Sequence, residues 1–180
     1  MNKNKYSIFV ALMASIAITM SGCATPISKD AVVVNNIQTT KHHQKTVSVK
    51  AQGGAETGAM DTPNISNENL AKAIEESIDK NGLFTQVIHG DNSDYVLTIT
   101  VINMSTPVFG LSFTVTMEAA WSLSEQKTKR VIMRDSIKST HTASVGDAFV
   151  AVKRQRLAVE GAIRENIRLG LMNVAKLQID

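Results

Sequence analysis

One cysteine, Cys23, stands in 180 residues. No disulfide can form within the chain, and no cysteine-pair zinc site is available. Other absences are as informative. No Gly-x-Ser-x-Gly elbow occurs; Gly110-Leu111-Ser112-Phe113-Thr114 lacks the second glycine. No His-Glu-x-x-His pair occurs, and His42-His43 are adjacent and hard to aim at one ion. Gly53, Gly54 and Gly58 are not followed by Gly-Lys-Ser/Thr, so they read as turn glycines and not as a phosphate loop. No catalytic residue, metal ligand or cofactor site is expected, and the chain reads as a non-enzyme.

A spanning helix is also missing. Tyr6 to Met20 is apolar, but at about fifteen residues it is shorter than the roughly twenty a bilayer requires. Lys3 and Lys5 precede it, and small residues follow it. This is the pattern of a secretory signal over residues 1–22, cut between Gly22 and Cys23. Nineteen Lys and Arg less Lys3 and Lys5 leaves 17 in the mature chain, against 16 Asp and Glu. A net charge near zero argues against a nucleic-acid partner.

Met20-Ser21-Gly22-Cys23 resembles the lipobox of bacterial lipoproteins. Leucine is commoner than Met20 at its position. The resemblance implies a diacylglycerol on the Cys23 thiol, cleavage before it and acylation of the new N-terminus. The membrane partner is then bound through acyl chains, several of which hold far more firmly than one. In enteric-type lipoproteins an Asp after the cysteine favours inner-membrane retention. Ala24 stands there instead, which points to the outer membrane with the domain in the periplasm.

Residues 23–45 read as the lipidated N-terminus and a tether, and 46–180 as a single domain. Ala31 to Ile37, with Val32-Val33-Val34, could instead be a short first strand; the tether is preferred. Thr46 to Lys50 alternates as a strand. A first helix follows Ser66, a good N-cap, with Ile65 and Leu70 at the spacing of a hydrophobic staple and Asn81-Gly82 as the stop. Leu83 to Ile88 is a short strand, and Tyr95 to Ile102 another. From Leu111 to Leu123 alternate residues are apolar, the signature of a long strand with one buried face. A turn centred on Lys127 pairs Leu123 with Val131 and sets Asp135, on the apolar face, opposite Ala119. A long helix runs from 147 to about 177, with Asp147 at its start and an apolar stripe from Val152 to Val174. Gly161 and Gly170 are points where it could bend. Arg156 could pair with Glu160 or reach Asp135.

Strand, helix, four strands, helix predicts an α+β two-layer sandwich. Its mostly antiparallel sheet has four to five strands, with two helices on one face. That element order, with the lipobox, resembles small envelope lipoproteins such as the LPS-assembly lipoprotein and YajG-type lipoproteins.

Two surfaces stand out. Lys153, Arg154, Arg164 and Arg168 form a basic side of the last helix, suited to an anionic lipid or an acidic envelope protein. Val108 and Phe109, before the long strand, could anchor a partner. The expected function is a non-catalytic binding or assembly accessory for an envelope protein or lipid. The alternatives are an enzyme or lipid-handling factor built from Asp135, His141 and Arg156, and a structural lipoprotein that self-associates through a strand edge.

Overall fold

The computed structural model describes residues 25–39, 41–58 and 61–179. The signal segment and Cys23 lie outside the described residues. Among the described residues no helix is long and apolar enough to cross a membrane.

Helix α1 (Asn67–Lys80) forms where its local signals put it. The Ser66 side chain accepts a hydrogen bond from the Asn69 amide at 3.2 Å, satisfying one orphan donor of the first turn. Ile65 and Leu70 are both buried. The stop is Asn81-Gly82, with Gly82 at φ +56°, a conformation glycine adopts without steric cost. The strands are β1 (His43–Gln52), β2 (Phe84–Val87), β3 (Tyr95–Ser105), β4 (Phe113–Glu125) and β5 (Val131–Ala143), followed by helix α2 (Ala151–Ala175).

The sheet order is β2-β1-β3-β4-β5. β1 runs parallel to both of its neighbours, and α1 supplies the crossover that a parallel β1–β2 pair requires. β3, β4 and β5 form the long antiparallel part. The fold is α+β, with five strands and two helices. Both helices pack on the sheet face that carries Val47, Leu97, Ile99, Val115, Met117, Trp121 and Leu123. The opposite face of β4 and β5 is polar. Thr114 and Thr142 meet there hydroxyl to hydroxyl at 2.9 Å, and Thr116 and Thr140 at 3.2 Å.

The structure departs from the sequence reading in several places. Residues 31–37 form neither a strand nor a free tether. Ile27, Val32, Val34 and Ile37 are buried, and a 3-10 turn spans Lys29–Ala31. The Ser77 hydroxyl accepts from the Val34 amide at 2.9 Å. Asn81 accepts from the Ile37 amide and donates to the Val34 carbonyl, both at 2.8 Å. This segment is pinned to α1 by side chains, with no ladder of its own. β1 also begins at His43, three residues before Thr46.

The β4–β5 register differs by two residues. Leu123 faces Met133, Trp121 faces Asp135 and Ala119 faces Ile137. A register shift beside Ser124, and Lys129 at φ 59°, absorb the difference. Asp135 stays on the apolar face, half-buried, and accepts a hydrogen bond from Asn173 Nδ2 at 3.3 Å.

α2 starts at Ala151, not at 147. Asp147 instead accepts from the Ser144 amide (2.7 Å) and hydroxyl (2.9 Å), closing a turn ahead of the helix. Val152 is exposed and lies off the core stripe. The helix also continues through Gly161 and Gly170, because both glycines are contact points with the sheet. Finally, β4 starts at Phe113, leaving Leu111 exposed in the preceding loop.

Candidate functional site

Two loops meet at the end of the sheet where β3 passes to β4 and β5 passes to α2. Their meeting depends on Arg154, in the first turn of α2. Arg154 is only 5% exposed. Its Nη1 donates to the carbonyls of Ala148 (3.0 Å) and Phe149 (2.6 Å), and its Nη2 to that of Gly110 (3.4 Å). The guanidinium also stacks over the Phe113 ring, 5.7 Å from its centroid. Among the described residues no carboxylate pairs with it. Its planar fork is spent on backbone oxygens of both loops, a task a point-charge ammonium would not reproduce. Gln155 adds a hydrogen bond from Nε2 to the Pro107 carbonyl at 2.9 Å.

With the loop backbones tied inward, their apolar side chains point out. Phe109 is 91% exposed and Phe149 89%, flanked by Val108, Leu111 and Val150. Five large apolar side chains are thus exposed on two loops that one guanidinium ties together, and clustered exposed apolar groups mark interaction sites. Beside it runs an open groove of about 510 Å³ lined by Thr25, Pro63, Val150, Val152, Lys153 and Arg156, among others. Arg156 donates to the Thr25 hydroxyl at 2.7 Å, which holds the start of the described chain against this end.

The basic residues expected to form one surface do not. Arg154 is buried, a correction to its placement on a solvated face. Guanidinium burial here follows from the loops that fold over it. Arg168 is committed to Glu165 through two hydrogen bonds of 2.6 and 2.8 Å, which hold the Glu165 carboxyl below the usual range. Arg164 is exposed and donates to the Ala31 carbonyl at 2.8 Å. Lys153 is exposed, in the groove beside Val150.

The scattered polar residues are not brought together either. Asp135 bonds Asn173. His141 lies six residues along the same strand, roughly 20 Å away, with its ring over Gly161. Arg156 pairs with Glu160 at 2.7 Å on α2. His43 is buried, bonded to the Val174 carbonyl at 3.1 Å and packed beside Phe84. Its neighbour His42 bonds the Gly82 carbonyl. Among the described residues no three His, Cys, Asp or Glu could share a metal ion.

The sequence pattern does not mark Leu111, Phe149 and Val150 as surface. Leu111 falls in phase with the β4 alternation. Phe149 and Val150 sit inside what reads as a continuous helix. The one usable signal was that the run Ala148-Phe149-Val150-Ala151-Val152 is too densely apolar for one helix face.

No family model matches the chain, and no curated protein matches it. Several solved structures do. A Xanthomonas campestris protein of the DUF330 family is similar with a TM-score of 0.57 at 15% identity, over 84% of this chain and 93% of that one. The uncharacterised lipoprotein B from Nitrosomonas europaea is similar with a TM-score of 0.51 at 13% identity, over 78% and 88%. A hypothetical protein from Chlamydia trachomatis also reaches 0.51, at 10% identity over 73% and 96%. What these proteins share with this chain is its fold, and one of them is a lipoprotein.

Proposed function

We propose that this chain is an outer-membrane lipoprotein, acylated at Cys23, whose periplasmic α+β domain is a non-catalytic binding or assembly accessory for an envelope protein or lipid. The observation that carries the reading is the short distance between anchor and fold. Thr25, two residues after the lipobox cysteine, is already bonded to Arg156 on α2. An acyl anchor at Cys23 would fasten the domain directly to the bilayer with almost no spacer. A lipoprotein with the same fold supports the assignment.

Acyl labelling in cells tests it. Radiolabelled palmitate should enter the protein, and Cys23→Ser should abolish incorporation; label retained in that variant would sink the lipobox reading. Density fractionation of the envelope should place the protein with outer-membrane markers. Turnover of a substrate by the purified protein, abolished by Asp135→Asn or His141→Ala, would favour the enzyme alternative.

A further inference from the structure

We infer that the apolar end formed by Phe109, Leu111, Phe149 and Val150 inserts into the interfacial layer of the same bilayer that holds the acyl anchor. This inference rests on the reading of Cys23 as acylated.

The position of the chain start selects the occupant. Thr25 is bonded to Arg156, two residues beyond Arg154, and lines the groove that also holds Val150 and Val152. Two residues reach at most about 7 Å, so a bilayer holding Cys23 must lie close to this end of the domain. A tethered surface also meets its ligand at high effective concentration, so even weak insertion is populated.

The chemistry of the end suits a lipid interface. Two phenyl rings and three branched side chains stand exposed there. Lys153 stands exposed beside Val150, placed for a phosphate headgroup at the level where the rings enter. Loop backbone enters apolar surroundings at a cost unless its polar groups are paired. Arg154 meets that requirement for three carbonyls: Ala148, Phe149 and Gly110. Asp147, the carboxylate of the same loop, is turned back onto the Ser144 amide and hydroxyl. The end is therefore a shallow wedge, reaching the roughly 5–10 Å depth of interfacial elements and not the bilayer centre.

A tryptophan reporter tests the inference. Phe109 is so exposed that Phe109→Trp leaves the fold intact, and the native Trp121 is fully buried and gives a constant background. The full chain, purified as matured in cells, is reconstituted into phosphatidylethanolamine–phosphatidylglycerol vesicles with or without brominated acyl chains. The introduced indole should shift to the blue and lose intensity to bromine, most strongly for bromines near the headgroups. Adding Phe149→Ser should reverse much of that loss. The same reporter at Lys138→Trp, on the exposed side of β5, should remain unquenched.

The mass of the N-terminal peptide, read on the same samples, separates the two claims. An unquenched indole at 109 on a chain acylated at Cys23 overturns insertion and leaves the anchor standing. Quenching on a chain that is not acylated supports insertion and overturns the anchor. Neither quenching nor acylation overturns both. A photoreactive benzoylphenylalanine at position 109 in intact cells should form lipid adducts; adducts to protein alone would assign this end to a protein interface and overturn the inference.

Discussion

Gly170 of α2 lies against the indole of Trp121 on β4, so closely that a Cβ there would stand 2.4 Å from the ring carbon Cε2. Gly161, nine residues earlier, lies under the ring of His141, where a Cβ would stand 2.1 Å from Cδ2. The two contacts look alike and predict opposite outcomes. Trp121 is fully buried and cannot move, whereas His141 is exposed and can rotate into solvent. Gly170→Ala gains about 1 kcal/mol of helix propensity. It loses more by overpacking, which costs typically 1–3 kcal/mol and more where the neighbour is rigid. The variant should unfold at lower urea. Gly161→Ala should be near neutral. Equal losses in both would contradict the account.

Asn166 is the polar centre of the α2–sheet contact. Its Oδ1 accepts from Trp121 Nε1 at 2.9 Å, and its Nδ2 donates to the Ile137 carbonyl (2.9 Å) and the Ser139 hydroxyl (3.2 Å). Asn166→Ala should lower the unfolding free energy by about 2–4 kcal/mol, because a buried indole N–H and a carbonyl are left unpaired. Asn166→Leu should do no better. Equilibrium denaturation followed by Trp121 fluorescence measures this, and a loss under 1 kcal/mol would contradict it.

Ser77 bridges α1 to the N-terminal segment. Its hydroxyl accepts from the Val34 amide and donates to the Ala73 carbonyl at 2.6 Å. Ser77→Ala should cost about 1–3 kcal/mol. The effect should also be local: amide exchange at Val34 and Ile37 should speed up well before that of the central strands. Uniform acceleration across the domain would show that residues 27–37 unfold only with the whole.

Two carboxylates should show opposite pH dependence. Burial raises the Glu75 carboxyl, an effect that nearby His89 and Lys72 oppose and Asp79 reinforces. With its folded value above its unfolded one, the native state binds the extra proton, and stability falls as pH rises through that window. Glu75→Gln should therefore stabilise the protein at neutral pH and lose that advantage in acid. Asp94 is held low by the Thr46 backbone amide and then by the Thr46 hydroxyl, both at 2.9 Å. Its contribution is present above the ordinary Asp value and disappears as pH falls through the lower folded value. Asp94→Ala should destabilise slightly at pH 7, by under about 1 kcal/mol since the group is exposed, and not at all once both carboxyls are protonated. Thermal midpoints across pH 2.5–7 would show whether the signs differ.

Local signals were legible where they were complete. α1 carries a cap, a staple, an apolar face and a glycine stop within about seventeen residues, and each acts on its neighbours. β4 was legible because one face is buried along its whole length. The segment at 27–37 was not, since Ile27, Val32, Val34 and Ile37 follow no period. They are buried because distant residues receive their backbone: Asn64 and Asn69 at Ile27, Ser77 and Asn81 at Val34, and Asn81 at Ile37. The β4–β5 register escaped for a similar reason, because it depends on a single positive-φ residue and a one-residue shift. Arg154 escaped most completely. On a helical wheel it is one cation among several, and only the two loops closing over it make it structural.

The order of elements, the α+β class, the apolar face of β4 and the short apolar run ahead of the lone Cys23 follow from residues acting within a few positions of one another, where spacing and stereochemistry suffice. The placement of β1 in parallel between β2 and β3, the packing of the N-terminal segment on α1 and the burial of Arg154 do not. Neither does the apolar end beside Thr25. They arise from contacts between residues 43 to 131 positions apart, and it is closure of the whole chain that decides which of many apolar residues are covered and which are left facing outward.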